Sequence, residues 1–345
     1  MRLTGYPGQA GPRGPSGAGY DPFGRGPFAV GVASLDAPDE ARGRSFPCEL
    51  WYPAERGDAS GAQSAATALA GARPLVVYSH SSGGHRRSAT FLCAHLASHG
   101  YAVAAMDHSE LVAAELGRRD DETPAARAER IDAVIGSRVP DVRFLLGYLL
   151  ATASLSGGLE LDAERIGLVG HSFGGWTVLA VPDAEPLAGS VVALAPGGAS
   201  DPRPGILPLT LAFGWGRDVP TLVLAAEDDV PIPLDGVQEM FGRIPGSKRM
   251  VVLRRADHQH FVDDVEAEHE AARTSPLPPA AAWMAAEMKP AAELCSGEQA
   301  HLFTRALTLA HFDATLLGRG EAERFLAGDV AAELADRGVE AFTWQ

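Results

Sequence analysis

The residues best suited to covalent chemistry lie in segment 170–174, Gly-His-Ser-Phe-Gly, which follows a short apolar run ending at Val169. A G-x-S-x-G pattern between a strand and a helix is typical of a nucleophilic serine held on a sharp turn. Glycines beside the serine avoid clashes in that turn, and the following helix directs its first N–H groups toward the same point. The pattern therefore predicts Ser172 as a nucleophile that attacks a carbonyl carbon.

A serine hydroxyl is a weak nucleophile at neutral pH and needs a histidine base that is oriented by a carboxylate. Two later segments supply these groups, each directly after an apolar run that predicts a strand. We predict Asp229 as the acid and His258 as the base. The spacing does not settle a register of one residue, so Asp228 and His260 remain alternatives.

The oxyanion that forms during such an attack requires two N–H donors. The backbone of Phe173, directly after the nucleophile, is the first predicted donor. We expect the second at Ser82, in the small-residue loop 79–84 that follows an apolar run. The alternative for that loop is a Gly-rich turn without a catalytic part.

Four other residues lie near the predicted centre in the sequence. We expect His80 in the pocket wall and Trp176 in the core. The pair Asp107-His108 ends a predicted strand at the edge where ligand-facing residues collect, and a structural Asp–His cap is the alternative.

Metal sites, disulfides and cofactors are not predicted. The histidines and carboxylates that follow residue 254 lack the H-E-x-x-H spacing of a zinc site. Cys48, Cys93 and Cys295 are scattered and odd in number, which favours small buried side chains over a disulfide framework.

The apolar runs that precede these residues predict a mostly parallel sheet, because they are continuous rather than alternating. They comprise residues 75–79, 102–106, 166–170, 190–194, 221–225 and 250–253. Helical patterns lie between and after them, at residues 88–98, 140–153, 174–179, 236–244, 298–317 and 321–337. The sequence thus predicts an α/β fold with helices on both sheet faces. Runs 28–35 and 46–52 predict an antiparallel pair at the N-terminal edge.

Three segments are predicted along the chain. Residues 1–26 are rich in Gly and Pro and indicate a flexible leader, while 27–345 indicate a single domain. Residues 262–296 are acidic and rich in Ala and Pro, which we interpret as a lid or inserted flap. The alternative is a structural extension of the domain.

Charge and hydropathy exclude several classes of partner. The 345 residues carry a formal net charge of −15, whereas nucleic acids and anionic membrane surfaces require a basic patch. No run of about 18 apolar residues predicts a membrane span, and no apolar stretch near the N-terminus predicts a signal peptide. We therefore expect a cytoplasmic protein, whose oligomeric state the sequence leaves open.

Three parts of the chain also resemble one known family. They are residues 79–108, the segment GHSFGG, and the opening residues 26–54. These segments are similar to the platelet-activating-factor acetylhydrolase-like and dienelactone-hydrolase-like branch of the α/β-hydrolases, and the likeness covers most of residues 26–261. The resemblance implies the α/β-hydrolase fold and hydrolysis of a small-molecule carboxylic ester without a cofactor.

The same resemblance carries residue roles. Ser172, Asp229 and His258 match the triad positions, and Ser82 and Phe173 match the oxyanion donors. Ser81 stands where the family usually has glycine, and the nucleophile is serine rather than the cysteine of dienelactone hydrolases proper. Three alternatives share this fold: an acyltransferase, a peptidase, and a non-catalytic ligand-binding homologue. The sequence does not specify the natural substrate or its chain length.

Overall fold

Nine strands form one sheet in the computed structural model, which describes residues 19–55, 66–119, 121–152 and 155–344. The strands are β1 (Ala29–Asp39), β2 (Arg44–Ala54), β3 (Arg73–Ser79), β4 (Ala102–Met106), β5 (Leu161–His171), β6 (Ser190–Leu194), β7 (Thr221–Ala226), β8 (Lys248–Leu253) and β9 (Ala341–Trp344). Their order across the sheet is β1-β2-β4-β3-β5-β6-β7-β8-β9.

The six strands from β4 to β8 in that order are mutually parallel. Their middle residues are buried on both faces, as the continuous apolar runs predict. β1 and β2 form the antiparallel N-terminal edge, so the predicted α/β class and edge are confirmed. At the opposite edge, the four-residue strand β9 pairs antiparallel with β8, and the sequence analysis missed it.

Ten α-helices surround the sheet within the described residues. They are α1 (Thr90–Ser98), α2 (Ser109–Val112), α3 (Pro124–Ala151), α4 (Phe173–Ala180), α5 (Leu234–Arg243), α6 (Val265–Thr274), α7 (Trp283–Glu287), α8 (Gly297–Thr315), α9 (Gly320–Ala327) and α10 (Val330–Ala335). Helices α3, α4 and α5 pack into the core on one face of the sheet, whereas α1, α8 and α10 pack on the other. None of the helices in the described ranges is long and apolar enough to cross a membrane.

Helix α3 differs most from the prediction, which began it at Pro140. It begins at Pro124, after the N-cap Thr123, and runs for 28 residues. Proline is common in the first turn of a helix, which favoured the later start. Here Pro140 lies inside the helix, where it lacks the N–H that would bond four residues back. The predicted helix 321–337 is likewise two helices, α9 and α10, which are separated at Gly328.

The N-terminal segment is packed from residue 20 onward, which lies within the range 1–26 of the predicted leader. Phe23 is buried, and the Tyr20 hydroxyl donates to the Asp313 carboxylate at 3.0 Å. The Nε2 atom of His95 lies 3.0 Å from the Pro22 carbonyl oxygen. Residues 1–18 of the predicted leader lie outside the described residues.

Segment 262–296, predicted as a lid or inserted flap and named the inserted segment, contains α6, α7 and short 3₁₀ turns. It is attached to the rest of the fold near both ends. The Asp263 carboxylate accepts N–H groups at the start of α1, from Thr90 at 3.0 Å and Phe91 at 2.8 Å. At the other end, the Cys295 N–H donates to the Arg255 carbonyl at 2.6 Å. Its role as a lid stays a prediction.

The three cysteines are free and buried in the structure. Burial raises the pKa of Cys48 and of Cys295 to about 12, and raises the pKa of Cys93 well above its ordinary value. At neutral pH these thiols are therefore protonated and apolar in character.

Candidate active site

Ser172 lies at the turn between β5 and α4, with a backbone φ of 59°. Its N–H donates to the Leu194 carbonyl of β6 at 2.9 Å, which fixes the turn to the sheet. The neighbouring Gly174 is required by packing, because a Cβ atom there would lie 2.0 Å from the Ser79 carbonyl oxygen. The glycines of the motif thus allow the turn to approach the end of β3 closely.

Ser172, His258 and Asp229 are joined by hydrogen bonds. The Nε2 atom of His258 lies 2.8 Å from the Ser172 hydroxyl oxygen, and its Nδ1 atom lies 2.8 Å from the Asp229 Oδ2 atom. Each side chain follows the carboxyl end of a different parallel strand, β5, β7 or β8. The arrangement has the geometry of a nucleophile, a general base and an orienting carboxylate.

Asp257 joins the loop 227–233, which carries Asp229 and is called the acid loop, to the 3₁₀ turn His258–Phe261, called the histidine turn. The sequence analysis did not predict this role. Its Oδ1 atom accepts the N–H of His258 at 2.5 Å and the N–H of Val230 at 3.1 Å. The other oxygen lies 3.7 Å from the Nδ1 atom of His269 in the inserted segment. The only sequence signal for Asp257 was its position directly before the histidine.

The alternative acid and base do not meet Ser172. Asp228 points outward and forms an ion pair with Lys289 at 2.8 Å. His260 is buried, with its Nδ1 atom against the backbone of Asp257 and its Nε2 atom 3.2 Å from the Cys295 carbonyl oxygen. The geometry thus brings Asp229 and His258 to the serine rather than their neighbours.

Electrostatics favour a basic imidazole at His258. Burial lowers the pKa of His258, but the Asp229 carboxylate outweighs it by charge and hydrogen bonding, with a further contribution from Asp257, and leaves that pKa above the ordinary value. His171 packs on His258 with ring centroids 4.7 Å apart. Burial, and then the charge of His258, hold the pKa of His171 well below the ordinary value. His171 is therefore a neutral neighbour, which spares His258 a second positive charge.

The two predicted oxyanion donors line one cavity together with Ser172 and His258. Phe173 is the first residue of α4, where a backbone N–H has no partner within the helix. Ser82 lies in a turn closed by the Gly84 N–H bonding to the Ser81 carbonyl at 3.1 Å. Both residues therefore border the space in front of the serine, and their role as oxyanion donors stays a prediction.

His80 does not line the cavity, contrary to the prediction for it. It is fully buried behind the loop, where its Nε2 atom accepts the N–H of His108 at 3.2 Å. The ring of His108 lies 2.8 Å from the Ser79 hydroxyl, and Asp107 pairs with Arg86, so both groups serve structural contacts. Trp176 is packed as expected, with its indole N–H donating to the Thr210 carbonyl at 2.8 Å.

The cavity in front of Ser172 has a volume of about 400 Å³ and mostly apolar walls. Its apolar side chains come from the loop after β6, the acid loop and the inserted segment: Ile206, Leu207, Leu209, Pro231, Ile232, Leu277, Met284 and Met288. A second cavity of about 340 Å³ adjoins it across Ile206 and Ile232 and carries the polar residues Asp201, Arg203 and Asp235. Among the described residues, no cluster of His, Cys, Asp and Glu could hold a metal ion.

A search of solved structures finds a ferulic acid esterase from Streptomyces cinnamoneus. It superposes with a TM-score of 0.62 at 25% identity, over 88% of this chain and 94% of that chain. The chain has the α/β-hydrolase fold. The predicted resemblance and fold are thereby confirmed, and the mixed sheet agrees with them.

Two further comparisons concern parts of the chain. A family model for platelet-activating factor acetylhydrolase, isoform II, matches residues 59–135. Cutinase est1 of Thermobifida alba is 28% identical over 53% of this chain and 51% of the cutinase. Cutinase 2 of Thermobifida cellulosilytica is 23% identical over 53% of this chain and 58% of its own length. The chain thus spans about half the length of the curated relatives it matches, and all these comparisons point to esterases.

Proposed function

We propose that this α/β-hydrolase cleaves carboxylic esters with Ser172 as nucleophile, His258 as general base and Asp229 as the orienting acid. The observation that carries the proposal is the pair of 2.8 Å contacts that joins the serine to the histidine and the histidine to the aspartate. The contacts lie beside a mostly apolar cavity that is large enough for an organic ester.

In the first half of the reaction, the Ser172 oxygen attacks the ester carbonyl while His258 takes its proton. Asp229 stabilises the imidazolium that forms, and it holds the Nδ1 proton toward itself. The N–H groups of Phe173 and Ser82 bind the carbonyl oxygen as it becomes negative. His258 then donates its proton to the alcohol oxygen, and the alcohol leaves an acyl group on Ser172.

In the second half, a water molecule attacks the acyl group and gives a proton to His258. The same two N–H groups bind the second oxyanion. When the bond to Ser172 breaks, the serine oxygen recovers its proton from His258 and the carboxylic acid departs. No metal or redox group takes part in these steps, because the attack and the proton transfers use only the three side chains.

The cavity walls favour an ester with an apolar portion of moderate size next to the carbonyl. Leu209, Met284 and Met288 line the same cavity as Ser172, and none of the described residues that line it is Asp, Glu, Lys or Arg. The related proteins are named as cutinases, a ferulic acid esterase and a platelet-activating factor acetylhydrolase family. All these names denote esterases, which supports ester hydrolysis as the reaction of this chain.

Hydrolysis of p-nitrophenyl esters from acetate to decanoate, with and without chelator, tests the proposal. We expect turnover by the unaltered protein that chelator does not change, and its loss in Ser172→Ala. Ser247→Ala, at an exposed loop position, is the matched control and should retain the activity. A fluorophosphonate should label the unaltered protein and the control, but not Ser172→Ala.

Two results would contradict the proposal. Equal turnover by the unaltered protein and Ser172→Ala would place the chemistry elsewhere. Absence of both turnover and fluorophosphonate labelling would favour a non-catalytic ligand-binding protein. If an added alcohol receives the acyl group in preference to water, the same triad serves acyl transfer instead of hydrolysis.

A further inference from the structure

Arg138 lies inside α3 with a fully buried side chain, close behind the loop that carries Ser82. Its Nη1 atom donates to the His80 carbonyl oxygen at 2.7 Å, and its Nη2 atom has a longer contact of 3.5 Å with the Ser81 carbonyl oxygen. Two consecutive carbonyl groups of the loop thus face one guanidinium group. The N–H predicted to bind the oxyanion belongs to the next residue of the same loop.

The same guanidinium also contacts the second donor residue. The Cζ atom of Arg138 lies 4.0 Å from the centroid of the Phe173 ring, within the range of a cation–π contact. Phe173 belongs to α4, whereas Ser82 follows β3. Arg138 is therefore a side chain that bridges the two separate elements that supply the oxyanion donors.

A purely space-filling role does not explain a charged group at this position. Burying a guanidinium costs several kcal/mol unless the charge is paired and its N–H groups are bonded. Within the described residues, one carboxylate, that of Glu110, pairs with Arg138. The Nε atom of Arg138 and the Oε2 atom of Glu110 have no hydrogen-bond partner there. An apolar side chain of similar length would fill the space without this cost.

The geometry points to Arg138 as a positioning residue that sets the separation and direction of the Ser82 and Phe173 N–H groups. This inference rests on the proposed ester hydrolysis. The negative oxygen exists only in the transition state and the intermediates, so a misplaced donor weakens their binding more than it weakens substrate binding. Arg138 is not among the described residues that line the cavity, and it acts through the two backbone donors.

The test compares Arg138→Met and Arg138→Lys with Arg143→Met in the full chain. Arg143 lies on the same helix, but its side chain is half exposed and pairs weakly with Glu185 at 3.5 Å, so it is the matched control. Fluorophosphonate titration of Ser172 gives the number of active sites, and kcat for p-nitrophenyl butyrate is expressed per titrated site. A partly unfolded variant then loses sites rather than kcat per site.

We expect Arg138→Met to lower kcat per site by about 10- to 100-fold, below the full loss of one oxyanion donor, while KM changes less than about threefold. Arg138→Lys keeps the positive charge and one hydrogen bond, so its kcat per site should lie between those of Arg138→Met and the unaltered protein. The kcat of the control Arg143→Met should be unchanged. An alkyl trifluoromethyl ketone, which forms a tetrahedral oxyanion adduct with Ser172, provides a second readout. Its inhibition constant should rise by the same factor as kcat/KM falls.

A third variant keeps the inference testable if Arg138→Met does not fold. Phe173→Leu removes the ring that Arg138 contacts but retains the backbone donor. It should lower kcat per site by a smaller factor than Arg138→Met does. Its combination with Arg138→Lys should lose less than the product of the single effects, because both alter the contact between the side chains of residues 138 and 173.

The outcomes separate this inference from the proposed function. An unaltered protein without esterase activity would contradict the proposed function itself. An active protein whose Arg138→Met variant keeps kcat per site and ketone affinity would overturn only the positioning role. The positioning role would also be wrong if the variant lost titratable sites and thermal stability while kcat per remaining site stayed unchanged.

Discussion

The loops that carry the reacting groups and the walls of the adjoining cavity are held by different kinds of contact. Around Ser172, hydrogen bonds of 2.5 to 3.1 Å to the buried Asp229 and Asp257 carboxylates fix the acid loop and the histidine turn. The cavity walls are apolar side chains from loops, and between its hydrogen-bonded ends the inserted segment meets the loop that carries Asp229 through the surface ion pair Lys289–Asp228. Directional bonds tolerate little displacement, whereas apolar contacts and exposed ion pairs can rearrange at low cost.

This difference indicates which substitutions should change the rate of the chemical steps and which should change the selectivity between esters. A substitution in the hydrogen-bonded acid loop or histidine turn should alter the rate on every ester. A change in the cavity wall should alter the choice between esters and leave the chemical steps intact.

The largest expected effect on kcat comes from replacing Asp229, and the adjacent Asp228 is its matched control. Asp229→Asn should lower kcat by roughly 10³- to 10⁴-fold, because the amide no longer holds His258 in the required tautomer. Asp228→Asn should change kcat less than about twofold, since it loses only an outward ion pair. Steady-state kinetics on p-nitrophenyl butyrate check both, and similar losses in the two variants would contradict the assignment of Asp229.

A narrower cavity should separate long esters from short ones. Leu277→Trp, in the inserted segment, should lower kcat/KM for the decanoate ester by about 10-fold or more and for the acetate ester less than about twofold. Leu187→Trp, at an exposed position away from the cavity, is the matched control. An equal loss on both esters would mean that Leu277 does not contact the acyl chain.

The pH profile of kcat/KM tests the electrostatics around His258. The pKa of His258 lies above its ordinary value, and the base must be neutral, so kcat/KM should fall as the pH decreases through that raised pKa. Asp257→Asn removes one charge that raises it, so the acid limb should move to lower pH, by up to about one unit. Asp228→Asn should leave the limb in place. A limb that moves to higher pH in Asp257→Asn would contradict this electrostatic picture.

The smallest effect is expected where the inserted segment meets the acid loop at the surface. Lys289→Met removes the exposed ion pair with Asp228 and should change the free energy of unfolding by less than about 1 kcal/mol. Chemical denaturation measures that change, and kinetics on the butyrate ester should show nearly unaltered kcat. A large loss of kcat would show that this attachment governs the reacting groups after all.

The sheet could be predicted because burial on both faces leaves a plain signal in the sequence. Two of the predicted runs, 102–106 and 190–194, have the observed strand bounds. The glycine pattern around Ser172 reflects a close approach of backbone to backbone, which local sequence also reports. Asp229 and His258 could then be located because each follows a predicted strand, β7 or β8.

The supporting residues could not be predicted, because their roles depend on contacts between segments distant in sequence. Arg138 lies 58 residues from the carbonyl it binds, and nothing beside it in the chain marks it as buried. The misplaced start of α3 at Pro140 also put Arg138 outside the predicted helix. The choice between Asp228 and Asp229 depends on which carboxylate faces inward, and one residue of register leaves no trace in composition.

The buried thiols give the protein a practical property. With Cys48, Cys93 and Cys295 enclosed and protonated, maleimide dyes have no accessible thiolate to modify in the native state. A single new thiol, for example Ala286→Cys on the exposed surface of α7, would then carry a dye at one known position. The fluorescence of such a conjugate would report directly whether the inserted segment changes its surroundings when an ester analogue occupies the cavity.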